Sequence, residues 1–216
     1  QFLWQNGADI FNAERTHSGY GDPRSVEVLA LFSELWHEHR VAWTSSAGAG
    51  WGDLYHEGRL GMFADGPWMI PWTHSAPVRT VVLPFPRGTA GPATTSFVDA
   101  YVVFSGSKHQ DLAWKVVRFF TEQTAVEVQV SHGSMGVPVR RDLAAKMVKD
   151  LFPGLANEDE QVWLAAVDYS RPMPFTSNWS ELVDKAIGPQ MERLFRNEIS
   201  AKEAAEIIDD MINSRM

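Results

Sequence analysis

Aromatic and acidic side chains near one Gly-Pro turn are the residues of this sequence with the clearest chemistry. The chain has 216 residues and nine Trp, and Trp68 directly follows Gly66 and Pro67. Pro67 fixes its own φ and so aims the next side chain, and a flat indole face can stack on the C–H groups of a pyranose ring. Asp65 precedes the turn and Asp99 interrupts a later β-type run. A carboxylate can accept two charge-assisted hydrogen bonds from neighbouring hydroxyls, so these residues predict a site for a polyhydroxylated ring.

Several of these residues also have an ordinary structural interpretation, and the sequence leaves both open. Trp68 can pack beneath its own turn as part of the core, and Trp72 can either share the stacking role or belong to a short helical turn as a structural residue. Asp65 can cap the Gly-Pro turn through its side chain. An indole N–H needs a partner, so some of the nine Trp should lie at a surface or in a cleft. Trp36 and Trp114 fall on helical apolar stripes and are predicted to be core.

Metal, nucleotide and catalytic sites are not predicted by any pattern in the chain. His37 and His39 are two residues apart, so on a helix they point to different faces and cannot chelate one ion. Gly48, Gly50 and Gly52 lack the strand–helix context of a nucleotide loop. No G-x-S-x-G pattern is present. We therefore predict no metal, no cofactor and no enzymatic activity; the alternative is a carbohydrate-active hydrolase that uses paired carboxylates such as those of Asp65 and Asp99.

Composition limits the partners of the chain. The net charge is -8 and the pI is near 5.3, and no cluster of Lys and Arg is evident. Phosphate binding needs such a cluster, so nucleic acid is not a predicted partner. No apolar run approaches the roughly 20 residues that cross a bilayer, so we predict no direct membrane insertion. The absence of Cys excludes disulfides and Cys nucleophiles.

The elements that must position these side chains are many helices and a few strand-like runs. Asp22 and Pro23 predict a helix start, and Ser200 with Glu203 predicts a capping box for the last helix. Gly188-Pro189 falls inside a helical pattern and predicts a kink, because Pro removes a hydrogen bond. Predicted strands cover 60–64, 78–83 and 97–104. Predicted helices after the one at Asp22 cover 51–57, 109–122, 125–130, 141–151, 159–169, 179–195 and 201–212.

Two features predict that the natural protein is longer than this chain. Gln1 is followed at once by Phe2, Leu3 and Trp4, which reads as the middle of a folded element. Three strands also make a poor sheet by themselves. We therefore expect an N-terminal part that supplies further strands.

Seven short motifs occur in an order that is typical of one protein family. They are Asn6-Gly7, the stretch from Tyr55 to Met62, Gly66-Pro67-Trp68, Leu83-Pro84-Phe85-Pro86, Ser107-Lys108 with Ala113-Trp114, Gly136-Val137-Pro138-Val139-Arg140, and Asn178-Trp179. Each motif is weak by itself, but the ordered set covers nearly the whole chain. On these residues the chain resembles the C-terminal half of extracellular solute-binding proteins of the maltose-binding type, which serve ABC sugar importers.

The resemblance implies an α/β fold of the periplasmic-binding-protein (type II) kind, with two lobes around a ligand cleft. This chain would be mainly the helix-rich C-terminal lobe plus a helical piece of the N-terminal lobe. Residues 1–100 would form the first part of the C-terminal lobe and 140–216 its second part. Residues 101–139 would contain the hinge crossings and the N-terminal-lobe helices, whose apolar stripe would be exposed if the sheet beneath them is absent.

The resemblance also implies a function. The protein would capture a sugar or oligosaccharide by Trp stacking and carboxylate hydrogen bonds and present it to the membrane permease of an ABC importer. It would be periplasmic or extracellular, with a membrane-anchored lipoprotein as one form of the full-length protein. The implied ligand-binding residues are Trp68, Trp179, Asp99, Asp65, Trp51 and Tyr101.

Departures from the family pattern and the structural alternatives stay open. Asp99, Ala100 and Tyr101 replace a stretch that is usually rich in Gly. Trp179 opens a helix with Ser177 or Asn178 as its predicted cap, and it can instead be a buried hydrophobic staple. A further alternative is that the chain binds no ligand by itself, because one lobe supplies only half of a cleft.

Overall fold

A computed structural model describes residues 1–43, 50–131, 143–144 and 157–216. Its α-helices are α1 (Phe2–Gln5), α2 (Pro23–His37), α3 (Trp51–His56), α4 (Ile70–Ser75), α5 (Gln110–Thr121), α6 (Gln123–Ser131), α7 (Asn157–Ala166), α8 (Trp179–Leu182), α9 (Gly188–Phe195) and α10 (Ala201–Asn213). Pro67–Met69 and Val167–Tyr169 are 3₁₀ turns, and Val183–Ile187 is a π-helical turn. Strands β1 (Thr94–Ser96) and β2 (Ser170–Pro172) pair in parallel, with Thr94 opposite Ser170.

The chain forms two compact units, which we call the first unit and the second unit. The first unit contains residues 1–53, 85–96 and 170–216, and the second unit contains residues 54–84 and 97–169. The lobe boundaries implied by the family resemblance refer to the two lobes of a longer protein. They are not the same as these two units, and they stay a prediction. The predicted hinge motif at Gly136–Arg140 lies outside the described residues, as do Gly48 and most of the predicted helix at 141–151.

Helix α2 begins as the sequence predicts. The Asp22 carboxylate accepts a hydrogen bond from the backbone N–H of Arg24 at 2.9 Å, and Pro23 occupies the first helical position. Proline is tolerated there because a backbone N–H at that position has no helical partner. The side-chain hydrogen bond from Arg24 also lowers the pKa of the Asp22 carboxyl. On the inner face of the helix, Val28 and Leu29 are buried.

The core of the first unit lies between α2, α9 and α10. Helix α10 places Ala204, Ile208 and Ile212 on one face at four-residue intervals, and all three are fully buried. Leu182 and Leu194 are fully buried in the same cluster. Burying one Leu or Ile side chain stabilises a fold by roughly 1.5–3 kcal/mol. This cluster is therefore the main source of stability in the first unit.

Trp36 was predicted to be core, and it packs at the edge of this core without being fully buried. It is half-buried and stacks on Phe195 with ring centroids 4.2 Å apart. Its indole N–H donates to the carbonyl of Trp43 at 2.9 Å. The apolar body and the polar N–H of the indole are thus both satisfied.

A kink was predicted at Gly188-Pro189, and the structure has a π-helical turn directly before these residues. Residues Val183–Ile187 form that turn between α8 and α9, and Pro189 lies in the first turn of α9. Single π-helical turns and Pro residues are common causes of helix bending. The one long helix predicted at 179–195 is therefore three consecutive segments.

The predicted capping box at the start of α10 is confirmed and gives a stability prediction. Ser200 Oγ accepts the N–H of Glu203 at 3.2 Å, and Glu203 Oε2 accepts the N–H of Ser200 at 2.8 Å. We expect Ser200→Ala to lower the free energy of unfolding by about 1 kcal/mol. Urea denaturation followed by circular dichroism measures this change. Lys202→Ala is the matched control, since its ion pair with Glu206 is exposed and should contribute less than about 0.5 kcal/mol.

The same box predicts a pH dependence. Hydrogen bonds from the Ser200 backbone N–H and hydroxyl lower the pKa of Glu203 from its ordinary value of 4.5. A lowered pKa means that the carboxylate contributes stability above that ordinary value and loses it as pH falls through the folded-state pKa. The difference in stability between wild type and Glu203→Gln, which keeps a hydrogen-bond acceptor but cannot ionise, should therefore be largest near neutral pH and should shrink in acid. A difference that stays constant with pH would contradict this account of the cap.

The three predicted strands of the second unit are wrong. Residues 60–64, 78–83 and 97–104 form no strand in the structure. A strand requires a neighbouring segment that pairs with its backbone in register, and the sheet among the described residues contains only β1 and β2. Several of their apolar side chains are exposed instead, with Val98 76% and Val102 82% exposed. Local β-propensity does not by itself make a strand.

Helix α5 is where predicted, but its apolar side chains are not buried. Trp114 is 57% exposed, so its predicted place in the core is wrong in this structure. No residue of α5 is buried, and among the described elements it packs mainly on α6. The exposed apolar side chains of α5 are Leu112, Trp114, Val116, Phe119 and Phe120. A patch of this kind favours association with another surface.

Candidate functional site

The Gly-Pro turn of the second unit leads into a helix. The sequence had predicted that it follows a strand, and this prediction is wrong. Pro67–Met69 form a 3₁₀ turn that continues directly into α4. The N–H of Met69 donates to the carbonyl of Gly66 at 3.0 Å. Asp65 Oδ1 accepts the N–H of Gly66 at 2.8 Å. The Asp65 side chain therefore fixes the entry to the turn, which is one of the two roles predicted for it.

Trp68 lies folded back over this turn and is half-buried. A Cβ added to Gly66 would lie 2.2–2.5 Å from Cη2, Cζ3 and Cζ2 of Trp68. The outer ring of the indole therefore rests against the Gly66 α-carbon. Part of the indole contacts the turn and part remains accessible to solvent.

A second aromatic ring stands beside Trp68, and the sequence reasoning missed it. The Phe97 ring lies 5.5 Å from Trp68 between centroids, at an interplanar angle of 79°. Phe97 is 65% exposed. The sequence feature that could have identified Phe97 as a site residue is its place at the start of a β-type run, two positions before Asp99. Asp99 is exposed, and its Cα lies within about 7 Å of the Phe97 Cα along the chain.

Trp72, the other aromatic residue near the turn, belongs to a separate packed cluster. Its ring lies 4.8 Å from Tyr55 and 4.5 Å from His56 between centroids. Phe63 contacts both Tyr55 and Trp72 edge-on, and the Tyr55 hydroxyl hydrogen-bonds to the Thr80 hydroxyl. This arrangement favours the structural interpretation of Trp72.

Trp179 is in the first unit, where it packs against the core. It is half-buried and meets Phe11 and Phe175 edge-on, with centroid distances of 6.1 and 5.8 Å. Asn178, one of the two residues predicted to cap this helix, occupies the N-cap position, but its side chain makes no capping hydrogen bond. The Asn178 amide instead accepts from the Thr176 hydroxyl at 2.8 Å and donates to the Arg215 carbonyl at 3.1 Å.

The last two predicted ligand contacts also lie in different units. Trp51 is the first residue of α3 in the first unit and is half-buried. Tyr101 is in the second unit, where its ring stacks on Phe120 at 5.1 Å and its hydroxyl donates to Gln129 at 3.3 Å. The structure thus places four predicted site residues in the second unit and two in the first. Those in the second unit are Asp65, Trp68, Asp99 and Tyr101, and those in the first are Trp51 and Trp179.

The described residues hold no group of three or more side chains suited to a metal ion. His37 Nε2 donates to the carbonyl of Leu194 at 3.0 Å, so its ring is part of the packing of α2 on α9. Across the described ranges, no helix is both long and apolar enough to cross a membrane.

The sequence matches one known protein family over most of its length. Residues 1–153 match the model of a family described as bacterial extracellular solute-binding protein. A protein of Brucella abortus (strain 2308) that is named as a binding protein is 27% identical over 188 residues, which are 84% of this chain and 44% of that protein.

Solved structures match the whole chain at low sequence identity. The ABC substrate-binding protein of Listeria monocytogenes in complex with cycloalternan superposes with a TM-score of 0.86 and 19% identity, over 100% of this chain and 55% of that one. A cyclo/maltodextrin-binding protein complexed with maltotetraose gives a TM-score of 0.75 and 16% identity, over 99% and 55%. The fold is therefore the predicted type II periplasmic-binding-protein fold, and the chain spans about half the length of these proteins.

Proposed function

We propose that this chain, which belongs to the family of bacterial extracellular solute-binding proteins, supplies one wall of the sugar site in the binding component of an ABC importer. The ligand would be a sugar or oligosaccharide, held in a cleft by Trp stacking and carboxylate hydrogen bonds. The observation that carries the proposal is the Gly66-Pro67-Trp68 turn, where a half-buried indole stands beside the exposed ring of Phe97.

Ligands of the structurally similar proteins support an oligosaccharide. Cycloalternan and maltotetraose are both built from ring sugars, and each is bound by a protein whose fold covers nearly all of this chain. A pyranose ring offers a face of C–H groups to an aromatic surface and a rim of hydroxyls to hydrogen-bonding groups. Aromatic and carboxylate side chains in the second unit match these two chemistries.

Trp68 and Phe97 form the stacking surface in this proposal. Both are aromatic and partly exposed, and their planes are nearly perpendicular. A ligand ring that stacks on one of them meets the other at its edge, which restricts how the sugar can be placed. Aromatic contacts of this kind contribute about 0.5–1.5 kcal/mol beyond the area they bury.

Asp99 and Asp65 supply the hydrogen-bond acceptors in this proposal. Asp99 is exposed and follows Phe97 by two residues in the chain, and we assign its carboxylate to a ligand hydroxyl. Asp65 uses Oδ1 for the Gly66 N–H, and we assign Oδ2 to a ligand hydroxyl. Charge-assisted hydrogen bonds from hydroxyl to carboxylate are stronger than neutral ones.

Trp179, Trp51 and Tyr101 are proposed as further contacts. Trp179 would act through the part of its ring that Phe11 and Phe175 leave uncovered. Tyr101 would act through the ring face opposite Phe120. We assign them smaller contributions than Trp68, which lies beside the exposed ring of Phe97.

The wider setting is also a proposal. The protein would work in the periplasm or outside the cell and deliver its ligand to the membrane permease of an ABC importer. The full-length form would work with or without a lipid anchor. Residues 1–100 and 140–216 would belong to one lobe, and 101–139 would contain hinge crossings and helices of the other. Membership of a family of solute-binding proteins supports the prediction that the chain is not an enzyme. It gives no support to the alternative of a carbohydrate-active hydrolase.

A fluorescence titration tests the proposed function. The panel consists of cycloalternan, maltotetraose and maltose, with sorbitol as a linear polyol that has hydroxyls but no ring face. We expect at least one ring sugar to change the intrinsic Trp fluorescence of the chain with saturation, at about millimolar affinity because one wall of a cleft binds weakly. Sorbitol should cause no saturable change. Unchanged fluorescence with every ring sugar would argue against the proposal.

A further inference from the structure

We infer that Gly66 is a positioning residue for the Trp68 indole: it lacks a side chain so that the outer ring of the indole can rest on its α-carbon. The inference rests on the proposed function, because it gives the stacking surface a fixed orientation. Gly66 itself does not contact the ligand in this inference; it acts by orienting Trp68.

The distances at the turn show how the two residues meet. An added Cβ on Gly66 would lie 2.2 Å from Cη2, 2.3 Å from Cζ3 and 2.5 Å from Cζ2 of Trp68. Three nearly equal distances to consecutive ring atoms place that Cβ over the face of the ring, since an approach in the ring plane would bring at most two atoms so close. Side-chain Cβ atoms in proteins essentially never approach within 3.0 Å of another heavy atom. Any other residue at this position must therefore displace the indole.

Backbone conformation does not explain the glycine. Three glycines among the described residues have positive φ, namely Gly7, Gly58 and Gly91, and Gly66 is not one of them. The hydrogen bonds of the turn use the N–H and the carbonyl of Gly66, which Ala also has. The requirement for Gly thus comes from the indole and not from the turn.

The contact between Gly66 and the indole limits which face of Trp68 is open to a ligand. One face of its outer ring is occupied by Gly66, so a sugar must approach from the opposite face or the free edge. Phe97 holds the same indole from the side, in a T-shaped contact at 5.5 Å. A displaced indole would lose both the contact with Phe97 and its direction towards the ligand.

Gly66→Ala is the test, and Gly61→Ala is its matched control. Gly61 lies five residues earlier in the same unit, and a Cβ added there meets nothing within 4 Å. The clash at Gly66 is with the far end of a side chain, so the indole can move while the fold is kept. We expect both variants to unfold at the wild-type temperature within a few degrees, while only Gly66→Ala changes the near-ultraviolet circular dichroism and the indole N–H resonance of Trp68.

These spectra are recorded without ligand, so they test the positioning role even if no panel sugar binds. An unchanged Trp68 resonance in Gly66→Ala would overturn the inference. With a bound sugar, we expect Gly66→Ala to weaken binding at least about tenfold and Gly61→Ala by less than about twofold. In a Trp68→Ala background, Gly66→Ala should add no further loss, because its effect acts through the indole. A full additional loss in that background would also overturn it.

Discussion

Replacement of Trp68 with Ala is expected to remove most of the sugar affinity of the chain. Truncating a central aromatic residue at a binding surface typically costs about 2 kcal/mol or more, which is about 30-fold in Kd. Trp68 meets this description because it is aromatic, partly exposed and held by Gly66 and Phe97. The measurement is isothermal titration calorimetry with the panel sugar that binds wild type best.

Trp114→Ala is the matched control for this prediction. Trp114 is also a Trp of the second unit, it is 57% exposed, and it lies on α5 outside the proposed site. We expect its replacement to change Kd by less than about twofold, since an exposed side chain away from a site has little effect. Equal losses in the two variants would indicate a general effect of Trp removal and would contradict the role of Trp68.

Replacement of Leu182 with Ala is expected to have the largest effect on stability. Leu182 is 0% exposed in the core of the first unit, between α2, α9 and α10. Leu-to-Ala changes at such positions lower the free energy of unfolding by about 3–4 kcal/mol, because a cavity remains after the transfer free energy is lost. Urea denaturation followed by circular dichroism measures the change. A chain of marginal stability would be largely unfolded by it.

Leu31→Ala gives the comparison for Leu182. It removes the same atoms from α2 in the same unit, at a position that is 43% exposed. Its cost should be about 1 kcal/mol or less. If the two variants unfolded at the same urea concentration, the assigned core of the first unit would be incorrect.

Features that depend on neighbouring residues in the chain could be predicted from the sequence. The cap at Asp22 and the capping box of Ser200 and Glu203 are both present. Each depends on hydrogen bonds or steric limits within one helical turn. The limits of α10 follow the apolar periodicity because its residues Ala204, Ile208 and Ile212 also face the core of the first unit.

Features that depend on distant segments could not be predicted. The runs at 60–64, 78–83 and 97–104 have strand-like composition, yet a strand also needs a partner, and the sequence does not specify one. Trp114 lies on an apolar helical stripe, but burial of that stripe requires a surface to cover it. The contact between Trp68 and Phe97 joins residues 29 positions apart. No local pattern marks such a contact.

The sequence identified the turn at Trp68 but not how its ring is held. The indole lies against Gly66, and this contact depends on the 3₁₀ turn that begins at Pro67. Asp65 was given two interpretations, and its bond to the Gly66 N–H is the structural one. The ligand role of Asp65 and the stacking role of Trp179 stay predictions.

Saturation-transfer NMR on the panel titration tests the central claim most directly, because it reports which sugar protons contact aromatic side chains. When the aromatic protons of the chain are irradiated, we predict transfer to the C–H protons on one ring face of at least one panel sugar. That transfer should disappear in Trp68→Ala and persist in Trp114→Ala. Transfer that is equal in wild type and Trp68→Ala, or absent for every ring sugar, would contradict the claim that this turn forms a wall of a sugar site.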